Sequence, residues 1–225
     1  MSAIFVTATG TGIGKTFITS GLIRHFRAAA RPVDAIKPVV SGFDAAAWQD
    51  SDPAALLAAL GRPMCLEEVE RLSPWRFTAP LSPDVAAQHE GKTIDFRELT
   101  EFCRRAMAAR NGILLIEGIG GIMVPLDRHR TVLDLMSVLR IPVMLVAGSY
   151  VGTISHTLTA LEVLARRNID IAAVAISESV SSAASLDETV AAISRFADAI
   201  EVIGIARMPA GTGDDPAFAR LAALL

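Results

Sequence analysis

The sequence predicts an α/β protein built on a doubly wound, mostly parallel sheet flanked by helices. Three observations predict it. Short apolar runs rich in β-branched residues recur along the chain, segments with helical periodicity separate them, and the first run leads through a glycine-rich loop into a helical segment. With 225 residues, 52% hydrophobic and 20% charged, the chain has the length and balance to bury one sizeable core, so a single domain over residues 1–225 is expected.

Each element follows from its residues. Ala3 to Thr7 is apolar up to its last residue and rich in β-branched side chains, the mark of a strand buried on both faces. Ile18, Leu22 and Phe26 then recur at helical spacing. Val33 to Lys37 reads as a second strand, and Pro38 holds Lys37 extended. From Ser41 to Phe96 the regularity lapses. Pro53, Pro63, Pro74, Pro80 and Pro83 divide that stretch into a short helix near Ala54 to Leu60 and several turns, an elaboration that shapes a site. Leu99, Phe102, Cys103 and Ala106 restore helical periodicity before the strand Ile113 to Glu117. Strands follow at Val143 to Ala147, Ile171 to Ser177 and Val202 to Ala206. Between them lie the helical sets Leu158, Leu161, Ala165 and Leu186, Val190, Ile193, Ala197.

Charge excludes several functions. The 24 acids against 21 bases leave a net charge of -3 with no block of like charges, so no electrostatic footprint for nucleic acid or an anionic membrane exists. Apolar runs such as Ile141 to Gly148 fall far short of the roughly 20 residues that span a bilayer. The glycine loop arrives too early for a signal peptide, so a cytoplasmic protein is expected. Cys65 and Cys103 fit no CxxC or zinc spacing and are expected to be buried thiols. His25, His89, His129 and His156 form no metal spacing, and no serine sits on a nucleophile elbow.

The loop "TATGTGIGKT", residues 7–16, ends in Gly-Lys-Thr but misses the Walker pattern, because Thr9 stands where that spacing wants glycine. A strand running through glycines into a helix still surrounds an anion with backbone N–H groups and a positive helix end. Lys15 supplies a point charge to outer phosphates, and the Thr16 hydroxyl is placed for Mg2+. A dinucleotide fingerprint fails, because Gly14 comes one residue early after Gly10 and Gly12. A plain turn between strand and helix is the other reading, and the order strand, Gly-Lys-Thr, amphipathic helix argues against it.

Two of the three lysines, Lys15 and Lys37 but not Lys92, fall at strand ends on the expected ligand edge. That placement favours a functional Lys37, with Ser41 beside it in "KPVVSG". "LLIEGIGG" closes an apolar strand with Glu117 followed by Gly118, Gly120 and Gly121, the arrangement in which an acid ligates Mg2+ and glycines approach the γ-phosphate. "QDSDPAAL" offers Asp50 and Asp52, which serve equally as helix caps or metal ligands on sequence alone.

Together, "TATGTGIGKT", "KPVVSG", "SDPAAL", "PLSPDVAAQHEG", "IEGIGG" and "VGTISH" resemble, in order and approximate spacing, the dethiobiotin synthetase family over nearly the whole chain. The family's phosphate loop is one residue longer than the Walker form, and Ala8 stands at its first glycine. The resemblance implies a P-loop NTPase type of fold and the ATP- and Mg2+-dependent conversion of 7,8-diaminopelargonic acid and CO2 to dethiobiotin. Thr11, Gly12, Ile13, Gly14, Lys15 and Thr16 would cradle the nucleotide, with Glu117, Gly118, Gly120, Ser177 and Pro209 completing its site. Thr16, Asp52 and Glu117 would organise Mg2+, and Lys15 and Lys37 would be catalytic. Thr11, Lys37, Ser41 and Ser82 would face the substrate, while Gly152, Thr153, Ile154 and Ser155 would reach its carboxylate tail across a homodimer interface. Ser155 and Ser177 stand where the family has asparagines.

Two alternatives share the fold. A partitioning or septum-site ATPase carries an extra lysine early in the loop and often a basic amphipathic tail, whereas this loop has none and "GDDPAFARLAALL" is apolar and slightly acidic. An amidating ligase adds a glutamine-hydrolysing domain, for which 225 residues leave no room.

Overall fold

A computed structural model describes residues 3–182, 184–208 and 215–225. Six parallel strands form the main sheet: β1 (Ala3–Ala8), β2 (Val33–Ile36), β5 (Ile113–Glu117), β6 (Val143–Gly148), β7 (Ile171–Ser177) and β8 (Val202–Ile205). Their order is β2-β5-β1-β6-β7-β8, which places β1 inside the sheet with Phe5 level with both Ile116 and Val143. The doubly wound expectation is met, and every expected strand is present to within a residue at its ends.

Two cores explain why these runs are apolar on both faces. Along β1, Ala3 and Phe5 join one core while Ile4, Val6 and Ala8 join the other. Helix α1 (Lys15–Ala28) covers the second face with Ile18, Leu22 and Phe26, all without solvent exposure, and packs against α2 (Asp52–Leu60) and the C-terminal α9 (Pro216–Ala223). The opposite face is covered by α5 (Phe96–Ala109), α6 (Val132–Leu139), α7 (Thr153–Arg166) and α8 (Leu186–Ser194). No helix among the described residues is long and apolar enough to cross a membrane.

The irregular stretch holds more order than its prolines suggest. β3 (Val39–Ser41) and β4 (Trp75–Phe77) form a separate two-stranded parallel sheet, joined through α2 and α3 (Leu66–Leu72), and α4 (Pro83–His89) follows. Pro53 and Pro83 begin helices rather than break them, because a first-turn residue has no intrahelical N–H bond to lose. Ser51 caps α2, its hydroxyl accepting the Ala54 N–H, and Gly61 ends the helix with φ 64.

Cys103 is buried within α5, and burial pushes its thiol up to about 12. Cys65 departs from expectation. It is only partly buried, because it stands at the N-cap of α3 rather than on an apolar helix face.

Candidate active site

The phosphate loop leaves the carboxyl end of β1 between its two neighbours. Ala8 remains in the strand: its side chain is fully buried in the core, its carbonyl accepts the Ile122 N–H at 3.1 Å, and Thr9 N–H reaches Val146 O at 3.0 Å. The Ala8 methyl group thus fills core space. Gly14 closes the loop as the N-cap of α1 with φ 103, a conformation that suits glycine alone, and the Ser177 side chain lies against it. The uncapped N–H groups at the start of α1 form an anion site with the positive end of the helix.

Lys15, 7% exposed, donates from Nζ to Gly10 O at 3.1 Å and Gly120 O at 2.9 Å, tying the phosphate loop to the loop after β5. Burial, and then the nearby Lys37 charge, bring its ammonium down to about 8.

A tight charge cluster lies beside it. Lys37, at the end of β2, donates to Glu117 Oε1 at 2.7 Å and also to the Asp52 carboxylate. Thr16 Oγ1 donates to the same Glu117 oxygen at 2.7 Å. Glu117 has no exposed surface, and its other oxygen, Oε2, is buried without a hydrogen-bond partner. Burial alone would lower the Lys37 ammonium, but Glu117 and then Asp52 outweigh it and hold it above its ordinary value. Asp52 is held below the usual carboxylate range, since the Lys37 charge overcomes the opposing effect of burial. Asp52, rather than Asp50, enters this cluster: Asp50 sits exposed in a short 3-10 turn (Trp48–Asp50).

Above the cluster opens a cleft of about 540 Å³. It brings together Thr11 through Thr16, Lys37, Ser41, Asp52, Ser82 and Gly120 from distant parts of the chain. Ser41 Oγ is buried without a partner, and Ser82 donates to Asp84 Oδ1 at 2.6 Å. Of the cleft's apolar wall, Pro80 and Leu81 are the expected neighbours of Ser82, while Phe17, Val40, Ile119 and Val124 were missed. Only the proline-flanked "PLSP" hinted at it.

Other named residues stand apart. Gly118 packs against Phe5, with space for no side chain, and does not line the cleft. Ser177 lies under Gly14, 8% exposed. Gly152, Thr153, Ile154 and Ser155 line a different, mainly apolar cleft with Tyr150 and Val151, so they do not meet Lys37 within one chain. Pro209 lies outside the described residues.

The donors suit a hard divalent cation. Two carboxylates and a hydroxyl converge, one buried carboxylate oxygen lacks a partner, and Mg2+ prefers a few such ligands completed by phosphate oxygens and water. Among the described residues no group of three His, Cys, Asp or Glu side chains gathers as a metal site.

A parallel doubly wound sheet whose inner strand ends in a Gly-Lys-Thr loop defines a nucleotide-binding protein of the P-loop NTPase class. Solved structures support that fold. The MinC:MinD complex of Aquifex aeolicus aligns with 93% of this chain and 83% of its own at a TM-score of 0.54 and 11% identity. FtsY of Elizabethkingia anophelis aligns with 99% of this chain at 0.52 and 14% identity, and this chain spans 64% of its length. A family model described as an AAA domain matches residues 2–210. The ATP-dependent dethiobiotin synthetase BioD of Caulobacter vibrioides is 50% identical over 197 residues, covering 87% of this chain and 88% of its own. The protein of that name from Methylobacterium nodulans is 46% identical over 213 residues, covering 92% and 94%. The chain belongs to the dethiobiotin synthetase family and is an ATP-dependent ligase.

Proposed function

We propose that this chain, acting as a single domain over residues 1–225, carboxylates 7,8-diaminopelargonic acid with CO2 and closes the product to dethiobiotin at the expense of ATP. The observation that carries the reading is the convergence of Lys15, Lys37, Thr16 and Asp52 on one cleft at the phosphate loop, with the buried Glu117 bound to Lys37 and Thr16. An unpaired amine of the substrate captures CO2 as a carbamate. A carbamate oxygen attacks the γ-phosphorus, ADP leaves, and a carbamic-phosphoric anhydride forms. The second amine attacks the carbonyl carbon, loses its proton and expels phosphate to give the cyclic urea.

Negative oxygen charge develops at each step, so oriented cations and donors matter more than a strong base. In this reading the loop N–H groups and Lys15 grip the phosphates, and Lys37 faces the carbamate and the γ-phosphate with Ser41 Oγ beside it. Such preorganised groups are worth about 3 to 4 kcal/mol each. Mg2+, held by Thr16, Asp52 and Glu117, would neutralise charge on the phosphate oxygens. The apolar wall around Val40, Leu81 and Val124 suits an alkyl chain.

The substrate's carboxylate end is assigned to a second copy of the chain. Gly152 to Ser155 form the uncapped start of α7, beside the exposed Val151 and Ile154, which supports a homodimer contact there. Ser177 and Pro209 are assigned to the nucleotide side, and a cytoplasmic location accompanies the reading.

The test measures ADP and dethiobiotin with purified protein, omitting diaminopelargonic acid and bicarbonate in turn. Both omissions should abolish product, and Lys37→Gln should lower kcat at least a hundredfold with ATP binding kept within a few-fold. Product formed without either component, or near-normal turnover by that variant, defeats the reading.

A further inference from the structure

We propose that Lys37 is a built-in competitor for the divalent cation: its ammonium occupies the position between Asp52 and Glu117, and loading of metal with nucleotide expels it toward the cleft, where the carbamate is to be met. The inference rests on the metal assignment above.

The geometry carries it. Lys37 Nζ binds both carboxylates, and on Glu117 it shares Oε1 with the Thr16 hydroxyl. The same three groups offer the only oxygen donors so far assigned to the ion. An ammonium and a divalent cation held by the same two carboxylates would repel each other at contact distance, so one displaces the other.

Lys15 is not that occupant, because two backbone carbonyls already hold its ammonium.

The displacement needs only a side-chain swing. The Lys37 backbone is fixed by its N–H to Leu72 O at 3.2 Å and by Ser73 Oγ to its carbonyl at 2.6 Å. A turn of the stem would carry the ammonium toward Ser41, whose buried hydroxyl has no partner and which lines the same cleft. Glu117 Oε2, buried and unpartnered, remains available to an incoming ion while Oε1 still holds Lys37. Two consequences follow. Metal alone should bind poorly, because it must break a buried ion pair without phosphate oxygens to help, and nucleotide loading should release the ammonium to face the carbamate and the γ-phosphate.

The probe is Mn2+ titrated into the purified full chain, with free Mn2+ read by electron paramagnetic resonance. Without nucleotide, Lys37→Gln should bind Mn2+ at least tenfold more tightly than the parent protein. With a non-hydrolysable ATP analogue, the parent should gain affinity and the gap between the two should shrink. Equal Mn2+ affinities without nucleotide, with analogue-dependent binding intact, overturn the competitor while sparing the metal assignment. No Mn2+ binding by either protein even with the analogue overturns both.

A second measurement avoids the variant. The chain has three lysines, so its side-chain ammonium resonances are few enough to assign. The Lys37 signal should be protected from exchange in the nucleotide-free protein and should shift and lose protection with Mg2+ and the analogue. A signal unchanged by that addition overturns the inference.

Discussion

Gly14→Ala tests how closely the phosphate loop is built onto the sheet. The residue has φ 103 and ψ 19, where an L side chain costs roughly 1–2 kcal/mol. A Cβ placed there would stand 2.6 Å from Ser177 Oγ and 3.1 Å from its Cβ, and such overpacking costs about 1–3 kcal/mol. The two contributions sum to about 2–5 kcal/mol, measurable by equilibrium urea unfolding followed through Trp48 and Trp75. Removing the hydroxyl with Ser177→Ala leaves only the 3.1 Å contact, which a small shift relieves. Against a Ser177→Ala background, Gly14→Ala should therefore cost about 1–2 kcal/mol less than it does alone. A shifted loop also misaims the N–H groups at the start of α1, so affinity for a fluorescent ATP analogue should fall at least tenfold. Stability within about 0.5 kcal/mol of the parent, or no relief from Ser177→Ala, would refute the packing argument.

Three further outcomes are expected. Gly21→Ala places a methyl group into the Phe218 ring where α1 meets α9, and it should destabilise by about 1–3 kcal/mol, with most of the loss recovered by Phe218→Leu; thermal unfolding reads both. Asp134 accepts from Thr131 N–H at 2.8 Å and from its hydroxyl at 3.0 Å, and these bonds with the Arg167 charge hold its carboxyl below the ordinary 3.8 against the opposing effect of burial. Its contribution is therefore complete above that ordinary value and lost as pH falls through the lowered one, so Asp134→Asn should cost about 1 kcal/mol at neutral pH and progressively less in acid unfolding curves. A thiol reagent should modify Cys65 in the native protein and Cys103 only after unfolding, and two thiols reacting at equal rates would contradict their different burial.

Periodicity made the sheet legible because the main strands are mostly buried on both faces, and their residues carry that fact without needing a partner. The separate β3–β4 pair was hidden for the opposite reason. Three residues make no period, and Val39 acquires its meaning only beside Trp75, far along the chain. α6 was overlooked although Thr131 and Asp134 form a capping box directly before its apolar run, a signal that could have found it. At the site, residue types marked Lys15, Thr16, Lys37 and Glu117 from the sequence, whereas they did not separate Asp50 from Asp52; the resemblance chose Asp52, and the chain path brings it to Lys37. The ion pairing among these groups, and the apolar wall opposite them, depend on tertiary approach that no local pattern encodes.

The division between the main sheet and the proline-rich excursion has a bearing on how such a protein changes over generations. The phosphate loop, Lys37 and Glu117 leave three strands that are hydrogen-bonded neighbours, β1, β2 and β5, while Val40, Pro80, Leu81 and Ser82 come from the stretch between β2 and β5. Substitutions and length changes in that stretch can remodel what the cleft accepts without disturbing the register of the three strands. Asp52 is the exception, because it is carried by the excursion yet bound to Lys37 at the end of a main-sheet strand. Any descendant that trades its substrate while keeping its phosphate chemistry is therefore constrained at one point of the excursion, the first turn of α2.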